Sequence, residues 1–386
     1  MNRMRFAVDA HAIGRRLTGN EVYVRSLLRE FAELDRASDF VACVSEPGAD
    51  EWIPRRFSVH QVSSDPLKRL GWDLRRVVKA SQADMLHVQY TSPLGVRVPV
   101  VVTVHDVSFI EHPEYFTFAR REQLRLTVSR TVKTSSRIIT VSEFSKSAIL
   151  KHYDVPSDKV HVVPNAANPY FRVTNHERAR KVVRERLNLD APFVLSVGDL
   201  QPRKNHVRLI EAFARLISAH PKLTHHLVLT GKDTWFGENV RRAAARSGYA
   251  SRIHFTGFVD DSELLDIYNA CDCFVFPSLY EGFGLPILEA HACGRAVACS
   301  GTSAIPEVAD GACILFNPAD TGEITRAMSD LLLDSELKVR MERLGLKNAG
   351  RFNWRSSASA TLDIYRDVVA QPLERTERTP AALPHA

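Results

Sequence analysis

A chain of 386 residues, 45% hydrophobic and 25% charged, has the composition of a soluble globular protein and the length of two ordinary domains, which excludes a disordered or fibrous chain. A formal charge of +6 suits an anionic substrate, a membrane surface or nucleic acid without choosing among them. No apolar run approaches the ~20 residues of a membrane span, and Met1-Asn2-Arg3-Met4-Arg5 leads straight into strand-like Phe6-Ala7-Val8, so neither insertion nor export is expected.

Short β-branched runs alternate with amphipathic segments. Strands are predicted over 5–9, 40–44, 85–88, 100–104 and 138–141, with helices over 21–34 and 120–134. Between them lies the basic segment 68–79. On a helix, Leu70, Leu74, Val77 and Val78 would share one face, flanked by Lys68, Arg75, Arg76 and Lys79. It reads as a surface helix with a solvated basic side, or as one lying against anionic lipid. Val163-Pro164-Asn165-Ala166-Ala167-Asn168-Pro169 is a connector, followed by a charged helix over 176–187. A second series then begins, with strands over 193–197, 227–230, 253–255, 273–276, 296–299 and 314–316 and helices over 208–218, 262–270 and 336–349. Strands this apolar belong to parallel sheets covered on both faces. The expected fold is therefore α/β, two doubly wound domains facing across a cleft. Its parts are an N-terminal domain 1–170, a C-terminal domain 171–353, a last helix over 354–370, and a polar tail 371–386 expected to be disordered. Cys43, Cys271, Cys273, Cys293, Cys299 and Cys313 lack metal or redox spacing and read as reduced core thiols of a cytoplasmic protein.

Ligands of open parallel sheets bind beyond the carboxyl ends of the strands, and the chemistry-bearing residues lie there. Glu281 and Glu289 bracket Gly282-Phe283-Gly284-Leu285-Pro286-Ile287-Leu288, a glycine-rich turn after a buried strand, with Pro286 placed to start a helix. Gly282 and Gly284 permit close backbone approach, and free amides before the helix can donate to an anion. The sequence Gly198-Asp199-Leu200-Gln201-Pro202-Arg203-Lys204-Asn205 puts two cations beside a helix start, where they would stabilise a departing diphosphate. The chain has no Asp-x-Asp pair for a divalent cation, and Arg203 with Lys204 could replace the metal. His105, in Thr103-Val104-His105-Asp106, is a candidate hydrogen-bonding or acid–base group, or a structural histidine; His87 is weaker. Gly19 precedes the first helix without completing a Gly-x-Gly-x-x-Gly fingerprint, which disfavours an NAD-dependent dehydrogenase. Walker A, nucleophile-elbow and His-Glu-x-x-His strings are absent.

With these residues the chain resembles the retaining glycosyltransferases of family 4. Glu281 to Glu289 matches their E-x7-E motif, and Gly198 to Asn205 matches their Arg-Lys loop. His105-Asp106, Pro113-Glu114-Tyr115-Phe116, Val141-Ser142-Glu143-Phe144-Ser145 and Val162-Val163-Pro164-Asn165 support the likeness, which extends from about Arg5 to Val369. It departs at Ala166, where members often have glycine, and at Gly19-Asn20-Glu21, commonly Gly-Ile-Gly. The combination looks most like bacterial mannosyltransferase-type members that build surface polysaccharides.

The resemblance implies the GT-B architecture of two Rossmann-like domains, with the last helix crossing back to the first. It implies that Arg203 and Lys204 bind the donor diphosphate and that Glu281 binds sugar hydroxyls with the amides of Phe283 and Gly284. Leu285 N–H would meet a phosphate oxygen, Glu289 the ribose, and the Gly257-Phe258-Val259 loop the nucleobase. His105 would approach the sugar, and Gly19 would admit the donor phosphate or the acceptor. A hexose, mannose by preference, would pass with retention from a nucleotide diphosphate sugar (GDP-mannose first, a UDP-hexose next) to a saccharide or lipid-linked saccharide. No cofactor or metal is expected, nor nucleic acid, because the basic residues lack interleaved aromatics. The site of action would be the cytoplasm, with peripheral contact to the anionic inner face of the membrane. A nucleotide-sugar epimerase of the same architecture, which needs no acceptor, and a non-catalytic nucleotide-sugar binder are the alternatives.

Overall fold

The computed structural model describes residues 3–15 and 18–371. The first sheet has seven strands in the order β3-β2-β1-β4-β5-β6-β7. They are β1 (Arg5–Asp9), β2 (Asp39–Val44), β3 (Ser58–Gln61), β4 (Met85–Gln89), β5 (Val100–Thr103), β6 (Arg137–Thr140) and β7 (Val160–Val162). The helices α1 (Thr18–Leu34), α2 (Pro66–Lys68), α3 (Leu74–Ala80), α4 (Ser108–Glu111), α5 (Phe118–Thr134) and α6 (Glu143–His152) connect them. The second sheet has six strands in the order β10-β9-β8-β11-β12-β13: β8 (Phe193–Val197), β9 (His226–Thr230), β10 (Ile253–Gly257), β11 (Cys273–Phe276), β12 (Val297–Ser300) and β13 (Ile314–Phe316). Around it lie α7 (His176–Leu187), α8 (His206–Ala219), α9 (Gly237–Arg246), α10 (Asp261–Ala270), α11 (Leu285–Ala292), α12 (Ile305–Ala309), α13 (Thr321–Leu333) and α14 (Ser335–Ala349).

All paired strands run parallel, with Phe6 opposite both Phe40 and Met85 in the first sheet and Phe274 opposite Leu195 and Val297 in the second. Central strands are fully buried, because each is sandwiched between helical layers and needs apolar side chains on both faces. Strand order reverses between β1 and β4 and again between β8 and β11. At each reversal the flanking crossover connections leave to opposite sides and open a crevice at the carboxyl ends. The two crevices face one another.

The last helix, α15 (Trp354–Ala370), packs on the first sheet's layer. Trp354, Leu362 and Tyr365 are buried with Phe6, Phe31 and Phe40, and the rings of Phe6 and Tyr365 meet edge to face at 5.2 Å. A separate cluster of Val141, Phe283, Leu285, Leu288 and Val308 joins the two domains.

Several elements differ from the sequence expectation. Strands β3 and β7 were not predicted. They are short edge strands, and β3 is mostly exposed, so neither has an apolar run to announce it. Helices α6, α9 and α13 were not predicted either. The basic segment 68–79 is helical throughout, but not regularly so: a π-helical turn over Arg69–Asp73 joins α2 to α3. That turn directs Arg69 inward, where its Nε lies 3.5 Å from the buried Asp9 carboxylate. Leu74, Val77 and Val78 are buried as expected, while Leu70 is only partly so. Lys68, Arg75, Arg76 and Lys79 are exposed, as are Leu67 and Trp72. All six cysteines are buried free thiols. No helix among the described residues is long and apolar enough to cross a membrane. The expected disordered tail lies, apart from Gln371, outside the described residues.

Candidate active site

The chain leaves β8 through Gly198, whose φ of +157° and packing leave no room for a side chain: a Cβ there would meet Lys204 Cδ at 2.9 Å. The Lys204 stem therefore lies over the strand end, with its ammonium 4.7 Å from the Phe276 ring centre. Arg203 is fixed by its backbone carbonyl, which accepts from Leu279 N at 2.8 Å, and by its guanidinium, which donates to Tyr280 O at 2.7 Å. Asn205 follows in the left-handed region and starts α8. The two loops beyond β8 and β11 are thereby tied together.

Glu281 lies between both cations, 2.5 Å from Arg203 Nη1 and 2.6 Å from Lys204 Nζ. Burial alone would raise its carboxyl, but the Arg203 and Lys204 charges outweigh that and bring it down to about 2. Burial lowers the Lys204 ammonium below its usual range, against the pull of Glu281. Gly284 has a φ of +112° and precedes α11. Glu289 lies one turn into that helix, which begins at Leu285, one residue before Pro286. Burial raises Glu289 to about 7, even though Tyr268 donates a hydrogen bond to it at 2.9 Å. The motif's two glutamates thus have opposite electrostatic settings: one charged between cations, one poised near neutrality.

On the opposite wall, His105 Nε2 lies 2.9 Å from Gln89 Oε1, and its ring meets Tyr23 edge to face at 4.8 Å. Burial lowers its pKa to about 4, so it is neutral at physiological pH. Gly19, at the start of α1, comes within 3.9 Å of Leu285 Cδ1, counted from the Cβ it lacks.

These residues surround one cleft of about 510 Å³ between the domains. The structure brings Arg203, Lys204, Glu281 and His105 into its lining together with Gly19, Phe283, Gly284, Leu285, Glu289 and Val259. Gly257 does not line it. This residue closes β10 one position back, at φ +72°, and Phe258 and Val259 face the cleft instead. His87 is a structural histidine, buried between Thr103 Oγ1 at 2.7 Å and the Tyr365 hydroxyl of α15. The sequence reading missed Arg25, Tyr90, Asp199 and Lys232, which also line the cleft. The last three directly follow a parallel strand or its terminal glycine, a positional signal that was available. Among the described residues no group of three or more His, Cys, Asp or Glu side chains could hold a metal ion.

Two parallel doubly wound sheets closing on such a cleft form the GT-B architecture. Residues 17–170 match the family described as Glycosyltransferase Family 4, and residues 191–334 match Glycosyl transferases group 1. The chain belongs to glycosyltransferase family 4. It is 29% identical over 266 residues to O-antigen chain mannosyltransferase B of Escherichia coli, a match covering 69% of this chain and 70% of that one. It is 33% identical over 229 residues to the serotype-specific mannosyltransferase WbdA of Escherichia coli, covering 58% of this chain but only 28% of that longer protein. Among solved structures, sucrose-phosphate synthase of Thermosynechococcus elongatus superposes with a TM-score of 0.76 at 20% identity, covering 95% of this chain and 100% of that one. HepE of Anabaena with bound UDP-glucose superposes with a TM-score of 0.75 at 19% identity, with the same coverage.

Proposed function

We propose that the protein transfers mannose, with retention at the anomeric carbon, from a nucleotide diphosphate sugar to a hydroxyl of a saccharide or lipid-linked saccharide in surface-polysaccharide assembly. The observation that carries this reading is the pair Arg203 and Lys204, half-buried at the cleft wall with the buried Glu281 carboxylate as their counter-charge. A diphosphate entering beside them would meet two charge-assisted donors where negative charge develops as the glycosidic bond breaks. In this reading Glu281 holds sugar hydroxyls with the amides of Phe283 and Gly284. Leu285 N–H meets a phosphate oxygen, and Glu289 takes the ribose. Phe258 and Val259 lie by the base, and His105 faces the sugar from the opposite wall. The incoming hydroxyl attacks on the face from which the diphosphate leaves, and a phosphate oxygen takes its proton. No carboxylate nucleophile beneath the ring is then required, in contrast to retaining glycosidases.

The names of the Escherichia coli relatives favour mannose, and GDP-mannose is the first choice of donor; HepE with its UDP-glucose makes a UDP-hexose the second. A thermal-shift screen against GDP-, UDP- and ADP-sugars tests the donor, since a ligand that binds the folded state raises its stability. GDP-mannose should give the largest shift, and K204A should lose turnover. Near-normal transfer by K204A would end the leaving-group role. The exposed Leu67 and Trp72 beside Lys68 and Arg75 support a peripheral contact with anionic lipid. Failure to sediment with phosphatidylglycerol vesicles at low salt would rule that out.

A further inference from the structure

The loop that carries Glu281 is held by both domains at once. Glu281 itself pairs with Arg203 and Lys204 of the C-terminal domain. Its two neighbours are anchored across the cleft. The Tyr280 hydroxyl donates to Glu111 Oε2 at 3.0 Å, and Gly282 O accepts from Ser142 Oγ at 2.7 Å. Glu111 is in turn set by His152 Nε2 at 2.9 Å and Lys151 Nζ at 3.0 Å, both bonded to its other oxygen. The Tyr280 ring is buried against His112 and Phe144, at 5.1 Å and 5.4 Å between centres. Close by, Glu307 of α12 accepts from the amides of Glu143 and Phe144 at 2.9 Å and 3.2 Å, capping α6 of the opposite domain. The carbonyl of Tyr280 is also the acceptor for Arg203 Nη1 at 2.7 Å. A displacement of Tyr280 therefore carries Arg203 with it.

We propose that Tyr280 is a positioning residue for sugar transfer: its hydroxyl bond to Glu111 across the cleft sets the Glu281 loop and the Arg203 guanidinium in their working register. When the domains part, the hydroxyl loses its carboxylate, the Gly282 carbonyl loses Ser142 and Ser145, and the loop answers only to the C-terminal domain. The donor can enter that state, because the wall proposed to hold it belongs to the C-terminal domain. Alignment of the guanidinium with the leaving group then waits for closure. Tyr280 would thus act after donor binding and hardly on binding itself. This proposal rests on the role given above to Arg203.

Tyr280→Phe removes the hydroxyl and keeps the ring packing. With GDP-mannose as donor, kcat should fall about ten-fold, the effect of one lost hydrogen bond to a charged acceptor, while donor KM stays within about two-fold. Glu111→Ala should give a similar loss. The double variant should be no worse than the worse single one, because both remove the same bond. Hydrogen exchange supplies a readout independent of turnover: with GDP-mannose bound and the cleft closed, the amides of residues 281–284 should exchange faster in Y280F than in wild type. Wild-type kcat in Y280F, additive losses in the double variant, or unchanged exchange would each overturn the proposal. Arg203→Ala separates the two ideas. If R203A is inactive and Y280F is not, the coupling is wrong; if R203A transfers normally, the role of Arg203 itself is wrong.

Discussion

Replacing Glu281 with glutamine (E281Q) removes the buried negative charge between two half-buried cations and leaves Arg203 and Lys204 facing each other across an amide. In the native protein the Glu281 carboxyl is held at about 2 against an ordinary 4.5. At about 1.4 kcal/mol per pH unit this corresponds to roughly 3 kcal/mol of stability at neutral pH. Breaking a buried ion pair by removing one partner costs about 3–5 kcal/mol, which agrees in size. In a domain of this length each kcal/mol shifts Tm by about 2–4 °C, so E281Q should melt roughly 6–12 °C lower. Because the native carboxyl is depressed, its contribution is present above 4.5 and is lost as pH falls toward 2, and the gap between the two proteins should close over that window. A nucleoside diphosphate restores the missing negative charge, so saturating GDP should raise the Tm of E281Q by more degrees than that of wild type. Scanning calorimetry at pH 7 and pH 3, with and without GDP, measures all three effects. Equal Tm values at pH 7, or a smaller GDP shift in E281Q, would refute the electrostatic account of this triad.

Glu289, raised to about 7, gives a pH dependence of the opposite sign. The folded state keeps its proton between 4.5 and 7 where the unfolded chain has lost it, so this group makes stability fall as pH rises through that window; urea melts at pH 5 and pH 8 should show a slope that E289Q lacks. If the ionised carboxylate accepts from the ribose, donor KM should drop between pH 6 and pH 8 in wild type and stay flat in E289Q. Gly282→Ala would place its Cβ 2.1 Å from His105 O, so the walls must separate by about 1 Å to reach even a tight contact. Since a 1 Å misplacement costs about 100-fold in rate, G282A should lose about two decades of kcat while retaining its thermal shift with GDP-mannose; near-native kcat would show that the closed geometry is not the reacting one.

Central strands such as β1, β8 and β11 were legible to the residue, because burial on both faces writes an uninterrupted apolar run into the chain. The edge strands β3 and β7 were not, since one flank is open and no pattern marks it. Helix α9 was hidden for a related reason: Val240 and Ala244 are nearly all of its buried face, and arginines fill the rest. The π-helical turn at Arg69–Asp73 brings Arg69 to a long-range partner, Asp9, which local periodicity cannot register. In the site, residues at strand ends could be named because parallel topology puts every carboxyl end on one side. Which side chains of the two walls touch could not be. Glu111 with Tyr280 are 169 positions apart, and Glu143 with Glu307 are 164 apart. Their pairing follows from how two folded domains meet, and nothing in either segment announces it.

The packing of α15 on the first domain has a mechanical consequence. The chain passes between domains twice, once after Pro164 and again just before Trp354, and the two passages touch: Ser357 Oγ donates to Pro164 O at 2.6 Å. Two covalent connections side by side act as a hinge with a narrow seam. They permit rotation about the seam and resist twisting or sliding of one domain over the other. A cleft opening about that seam would move like a book bound at Pro164 and Ser357, and each closing would bring Glu111 back to Tyr280 and Glu307 back to the start of α6.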